Sequence, residues 1–107
     1  MKIHELKIQL PYFEAVYTGI KSFEFRKDDR DFEVGYLIRF RVLGKTALGA
    51  DNSVLSNVLF KIKYILRDIP ELGLPKDYCI LGIVRMEMNT GNGVDKFQPF
   101  GAQLLVL

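Results

Sequence analysis

With 107 residues, 49% of them hydrophobic and 26% charged, the chain has the size and composition of one globular domain, and no apolar run reaches the roughly 20 residues of a membrane helix. One cysteine, Cys79, excludes an internal disulfide, and with only one histidine, His4, a Cys/His zinc site within the chain is excluded too. The net charge of +2 is uneven: residues 1–67 carry 12 Lys and Arg against 8 Asp and Glu, residues 68–107 carry 3 against 5. This mild basic bias permits a polyanionic partner without demanding one.

The first segment, "MKIHELKIQL", is too interrupted by charge for a signal peptide, so a cytoplasmic location is expected. Its alternation predicts a strand with Ile3, Glu5 and Lys7 on one face and His4, Leu6 and Ile8 on the other. In "LPYFEAVYTG", Pro11 suits a first helical turn, Tyr12–Val16 and Phe13–Tyr17 make i,i+4 pairs, and Gly19 is a left-handed stop. Two turns of helix hold only if packed. "KSFEFRK" predicts a second strand, with Lys21, Phe23 and Phe25 on one face and Ser22, Glu24 and Arg26 on the other.

"DDRD" is a turn. A strand follows Gly35, with Ile38, Phe40 and Val42 inward and Arg39 and Arg41 outward. "GKTALGADNS" has loop composition. "VLFKIKYIL" predicts a long strand in which Phe60, Ile62, Tyr64 and Leu66 alternate with Leu59, Lys61, Lys63 and Ile65. "RDIPELGLPKD" is a loop with one helical turn. "YCILGIVRME" is apolar enough for a strand that is central or buried on both faces, with Cys79 as a small buried hydrophobe. After Met88 come turn residues, "NTGNGVDKFQPFG", and an apolar end, "AQLLVL". These predict one domain over residues 1–107, in which 88–107 is an extension packed on the body or on a partner, a route to a homodimer. The fold class is α+β: a small barrel or curled sheet of about five to six strands with one early helix.

The sequence has no G-x-S-x-G, phosphate-binding P-loop, H-E-x-x-H or G-x-G-x-x-G pattern, so no cofactor, metal or catalytic residue is assigned. "TGNG" reads as a turn and His4 as a satisfied, partly buried histidine. If "IRFR" and "FKIK" pair antiparallel, Arg39, Arg41, Lys61 and Lys63 share an outer face. That face is either a solubilising surface or a stripe that tracks phosphates.

The densest pattern is "TGIKSFEFRKDDRDFEVG". Its G-x-K-x-x-E-x-R, carried by Gly19, Lys21, Glu24 and Arg26, resembles the signature of the ASCH domains, whose fold is PUA-like. With "HELKI", "YFEAV", a later "YIL" and a closing "YCILGI", the ordered set is similar to a family of small phage and bacterial ASCH-like proteins of unassigned function. The resemblance covers about residues 3 to 85. It implies a PUA-like β-barrel with a cleft beside the early helix, lined by Lys21, Glu24 and Arg26 and shaped by Gly19. The fold is associated with RNA and modified-nucleoside recognition, so RNA or a nucleotide is the expected partner. Lys27 and Arg30 join the candidate site by position, not by motif.

The chemistry fits such a ligand. Arginine grips phosphate with two prongs and lysine acts as a point charge. A glutamate accepts from an exocyclic amine, and Tyr12, Tyr17 or Tyr36 can stack on a base. The competing reading of the trio is a salt bridge between Glu24 and Arg26. Some ASCH relatives resemble amidohydrolases that use a lysine, a threonine nucleophile and a glutamate on a modified cytidine. Here Glu24 stands at the threonine position, and Tyr36 follows the "VG" turn where relatives often carry an acid. The expectation is a non-catalytic binding domain. The alternatives are a small nucleoside-processing hydrolase using Lys21 and Glu24, or a protein-interaction module that uses the apolar tail.

Overall fold

A computed structural model describes residues 2–45, 48–89 and 96–99. The elements run β1 (Ile3–Gln9), α1 (Leu10–Thr18), β2 (Phe23–Lys27), β3 (Leu37–Lys45), β4 (Asp51–Leu66), a 3-10 turn (Pro70–Leu72), β5 (Tyr78–Asn89) and β6 (Lys96–Pro99). One sheet has the order β1-β3-β4-β5-β2, and β6 also pairs with β5. β1 lies parallel to β3, and the other pairings are antiparallel. The expected strands and early helix are present, in an α+β, barrel-like arrangement.

The curl of the sheet follows from what joins its edges. β1 and β2 are the two ends of the sheet order, yet Arg26 Nη1 donates to Lys7 O at 2.9 Å and Arg30 Nη1 donates to Glu5 O at 3.0 Å. Leu37 N–H bonds Lys2 O, so even-numbered residues of β1 turn their backbone groups toward β3. The odd-numbered carbonyls therefore face the open side, where an edge needs partners. Two arginines supply them, and the edges meet through side chains instead of a backbone ladder.

The inner face is apolar. His4, Leu6 and Ile8 of β1, Ile38 and Phe40 of β3, Phe60 and Ile62 of β4, and Cys79, Leu81 and Ile83 of β5 are all buried. The helix closes one side: Val16 is buried, and Phe13 sets its ring edge-on at 6.3 Å from both Phe40 and Phe60. Pro11 lies in the first helical turn. Gly19 ends the helix at φ 85, where an L side chain would be strained, with its N–H on Val16 O. The i,i+4 stripe splits: Phe13 and Val16 face the core while Tyr12 is exposed.

Several expectations are corrected. The stretch taken as a loop, 44–53, is largely a hairpin, with Gly44 opposite Asn52 and Lys45 opposite Asp51. Cross-strand pairing and the Lys45–Asp51 ion pair at 2.8 Å outweigh its turn-like composition. The alternation in β4 breaks at Lys63. A register shift between Ile62 and Tyr64 adds one residue, so Tyr64 turns outward opposite Gly82 and Ile65 turns toward the core. β5 is central, between β4 and β2, but is not buried on both faces over most of its length: from Tyr78 to Val84 the even-numbered residues are half-buried. Lys21 and Ser22 precede β2, so strand alternation does not govern them. The single helical turn in 67–77 is present, as a 3-10 turn.

No helix among the described residues is long and apolar enough to cross a membrane. The "TGNG" turn and the apolar tail 100–107 lie outside the described residues.

Candidate functional site

Glu24 sits at an inward position of an edge strand. It lies opposite Leu81, a core residue, and is only 4% exposed. A carboxylate taken out of water needs compensating charge and hydrogen bonds. Lys21 Nζ lies 2.7 Å from Oε1 and Arg26 Nη1 lies 3.4 Å from Oε2. Both cations are positioned by the main chain. Gly19 turns the chain out of the helix, and Lys21 N–H then bonds Ala15 O at 3.0 Å, which fixes Lys21 beside α1. Arg26 follows Glu24 by two residues on the same strand face and is anchored on Lys7 O across the sheet edges. The Lys21 ammonium also lies 5.3 Å from the ring centroids of both Tyr12 and Phe23, close enough for cation–π attraction.

These groups line an open cavity of about 330 Å³, with Lys7, Tyr12 and Leu43 among its other walls. A smaller hollow of about 200 Å³ lies further along the seam, bordered by Arg26, Lys27, Asp29 and Arg30. Two cations on one acid leave the main cavity with a positive excess. Arg26 Nε and Nη2 have no partner among the described residues. Glu24 binds only one of the three ammonium hydrogens of Lys21. The arrangement presents donors to an anion.

The candidate residues fall into three groups. Lys21, Glu24 and Arg26 come together, with Gly19 setting the turn before them. Arg30 gives Nη1 to the seam and lies outside the main cavity, and Lys27 ends β2 opposite Tyr78, on the face away from Glu24; both border the smaller hollow. Of the four stripe cations, Arg39 lies opposite Leu59, Arg41 opposite Leu55 and Lys61 opposite Leu37, so no two of these are directly paired. Arg41 is ion-paired to Glu5 at 2.9 Å, and Lys61 and Lys63 are exposed. Of the three tyrosines considered for stacking, Tyr12 borders the cavity. Tyr17 lies against the Arg85 guanidinium at 3.8 Å, and Tyr36 sits beside His4 at 6.1 Å between ring centroids. The Tyr36 hydroxyl is raised above its usual pKa by its hydrogen bond with Glu33 and by burial.

Sequence reasoning missed Arg85. It is 3% exposed, its Nη1 donates to Tyr17 O at 3.2 Å and its Nη2 to Glu87 at 2.9 Å. A cation there complements the C-terminal end of α1. Its signal was a lone arginine in an otherwise apolar run. The wall contributed by the Lys7 backbone left no signal, because it depends on the curl.

Other reactive groups are quiet. Burial pushes the Cys79 thiol up to about 11, with Asp28 adding to the shift, so it stays protonated near neutral pH. His4 Nε2 lies 3.1 Å from Asp31 O, and since a carbonyl only accepts, that nitrogen carries the proton. Among the described residues, no three His, Cys, Asp or Glu are grouped to hold a metal ion.

The sequence model of a family described as "Domain of unknown function (DUF3850)" matches residues 3–83. The chain belongs to that family. The DUF3850 match runs from β1 to the middle of β5, so it takes in Lys7, Tyr12, Lys21, Glu24, Arg26 and Leu43, and stops short of Arg85. A shorter stretch of 34 residues is 53% identical to the "Uncharacterized 12.9 kDa protein in GpA 3'region" of Escherichia phage P2. That stretch is 32% of this chain and spans 31% of the relative's length.

Proposed function

We propose that the cleft binds a nucleotide or a short stretch of single-stranded RNA, and that the chain is a binding domain of the ASCH, PUA-like kind. The observation that carries the reading is Glu24, a nearly buried carboxylate that holds two cations at the wall of an open cavity. A plain salt bridge needs one cation. The second leaves a net positive charge and unused donors facing a hollow with an aromatic ring, Tyr12, at its rim. In this reading Arg26 grips a phosphate through Nε and Nη2, Lys21 adds a point charge, and Tyr12 offers a face to a base. Glu24 acts by holding Lys21 and Arg26 in place, since each of its oxygens contacts one of the two cations and the carboxylate is nearly buried. The G-x-K-x-x-E-x-R spacing and the barrel-like curl support the ASCH assignment.

The hydrolase alternative would make Glu24 the nucleophile. A carboxylate clamped by two cations is a poor one. Purified protein is therefore expected not to turn over an acylated cytidine, and turnover abolished by Lys21→Ala would make the hydrolase reading the better one.

The testing experiment is a salt titration of RNA binding. Each phosphate contact on a single strand contributes a log–log slope of about −0.7. Lys21→Ala and Arg26→Ala should each lower affinity and flatten the slope. Binding that ignores both salt and these substitutions would remove the cleft from consideration.

A further inference from the structure

The outer face of β2, β5 and β4 carries a second set of aromatic and basic groups, of which only Phe25 also borders the cleft cavity. The β4 bulge turns Tyr64 outward opposite Gly82, and Gly82 lies opposite Phe23. Tyr64 is 61% exposed, Phe23 46% and Phe25 49%. Phe25 stacks on Tyr78 with ring centroids 5.2 Å apart and planes inclined by 8°. Gly82 contributes no side chain, and a Cβ there would lie 3.3 Å from Tyr64 Cβ, so the glycine lets Tyr64 sit close against the sheet. Phe23, Phe25, Tyr64 and Tyr78 put four aromatic rings on one sheet face, with the half-buried Ile80 among them.

The charge on this face has one sign. Lys27 lies opposite Tyr78 and Lys61 lies opposite Val84. No Asp or Glu occupies a position on the paired outer face from Tyr78 to Val84.

We infer that this face binds single-stranded nucleic acid, with bases stacked on Phe23, Phe25 and Tyr64 and phosphates met by Lys27 and Lys61. Exposed rings between two lysines, Lys27 at one end of the patch and Lys61 at the other, suit a chain of planar bases joined by phosphates. A second copy of the protein suits it less. A twofold contact brings a patch against itself, which here would bury Lys27 and Lys61 against a patch with no acid to pair them. The inference goes beyond the cleft reading: it shares Phe25 with the cavity wall and otherwise rests on Phe23, Tyr64, Lys27 and Lys61.

The test measures binding of a labelled oligouridine of about 8 nucleotides by fluorescence anisotropy at low salt. The proteins are wild type, Tyr64→Leu, Tyr64→Phe, Lys61→Ala and, as a separate probe of the cleft, Arg26→Ala. Tyr64 and Lys61 are exposed, and thermal melting verifies that each variant is folded. Removing the ring in Tyr64→Leu should weaken binding about tenfold, the loss of one stacked base, while Tyr64→Phe keeps it. Lys61→Ala should reduce the salt slope by about 0.7. Unlabelled single strand should compete and duplex should not. No binding by wild type, unchanged binding in both Tyr64→Leu and Lys61→Ala, or equal competition by duplex would each overturn the inference. A dimer that Tyr64→Leu dissociates would overturn it as well, since the face would then be a contact between copies. If Arg26→Ala abolishes binding and Tyr64→Leu does not change it, the cleft reading stands and this one fails. The reverse result keeps this one and removes the cleft from RNA binding.

Discussion

Lys21 Nζ lies 2.7 Å from Oε1 of Glu24, and that contact ties the turn after α1 to the first strand on the far edge of the sheet. The carboxylate is nearly buried while its two cations are each about a quarter exposed. Glu24→Ala would leave Lys21 and Arg26 facing each other without the acid. We expect a loss of about 2 kcal/mol in urea unfolding, below the 3–5 kcal/mol of a fully buried pair because water still screens both cations. Ligand binding should fall as well, since the cations lose their anchor. A variant as stable as wild type would show that Glu24 organises nothing.

The seam between β1 and β2 makes a separate claim. Arg30 serves the Glu5 carbonyl and lies outside the main cavity. Arg30→Ala should cost about 1 kcal/mol, the net worth of one hydrogen bond, and leave nucleotide affinity unchanged. Guanidinium-free Arg26→Met should cost stability and affinity together. Equal effects of both variants on affinity would contradict the division of labour between the two arginines.

Gly19 tests the turn that delivers Lys21. At φ 85 an added Cβ meets no atom within 4 Å, so the cost of Gly19→Ala is conformational alone. It should be about 1 kcal/mol, seen as a lower melting temperature. If the turn places Lys21, affinity should fall too, and unchanged affinity would separate the turn from the site.

Cys79 gives a prediction in pH. Its folded value is raised to about 11 from 9.0. A raised value means that the folded state holds its proton where the unfolded chain loses it. The contribution is complete below pH 9 and is lost as pH rises toward 11. Native protein should resist a thiol reagent at pH 8 and react at once in denaturant. Fast labelling of native protein would show that the thiol is accessible and ionised.

Much of the fold was legible because β1, β3 and the helix obey simple periods. In β1, His4, Leu6 and Ile8 face inward as the alternation requires, and Pro11 and Gly19 bracket the helix. The errors sit where one extra residue resets the period. Nothing local to "KIKYIL" announces the bulge at Lys63, which is set by pairing with β5, so simple alternation groups Tyr64 with the core residues Phe60 and Ile62 and hides the aromatic outer face. The hairpin at Lys45–Asp51 was hidden by turn-rich composition for the same reason, since a ladder is a property of two strands. The trio Lys21, Glu24 and Arg26 was visible as a motif. Its geometry was not, because Lys21 lies before the strand and reaches back to Glu24 in a way strand alternation does not describe.

The most direct test of the cleft is chemical-shift mapping with a nucleoside monophosphate and the matching nucleoside. The account predicts amide shifts concentrated at Tyr12, Lys21, Glu24 and Arg26, stronger for the monophosphate and abolished by Arg26→Ala. Shifts confined to other surfaces, or no shifts with either compound, would contradict it.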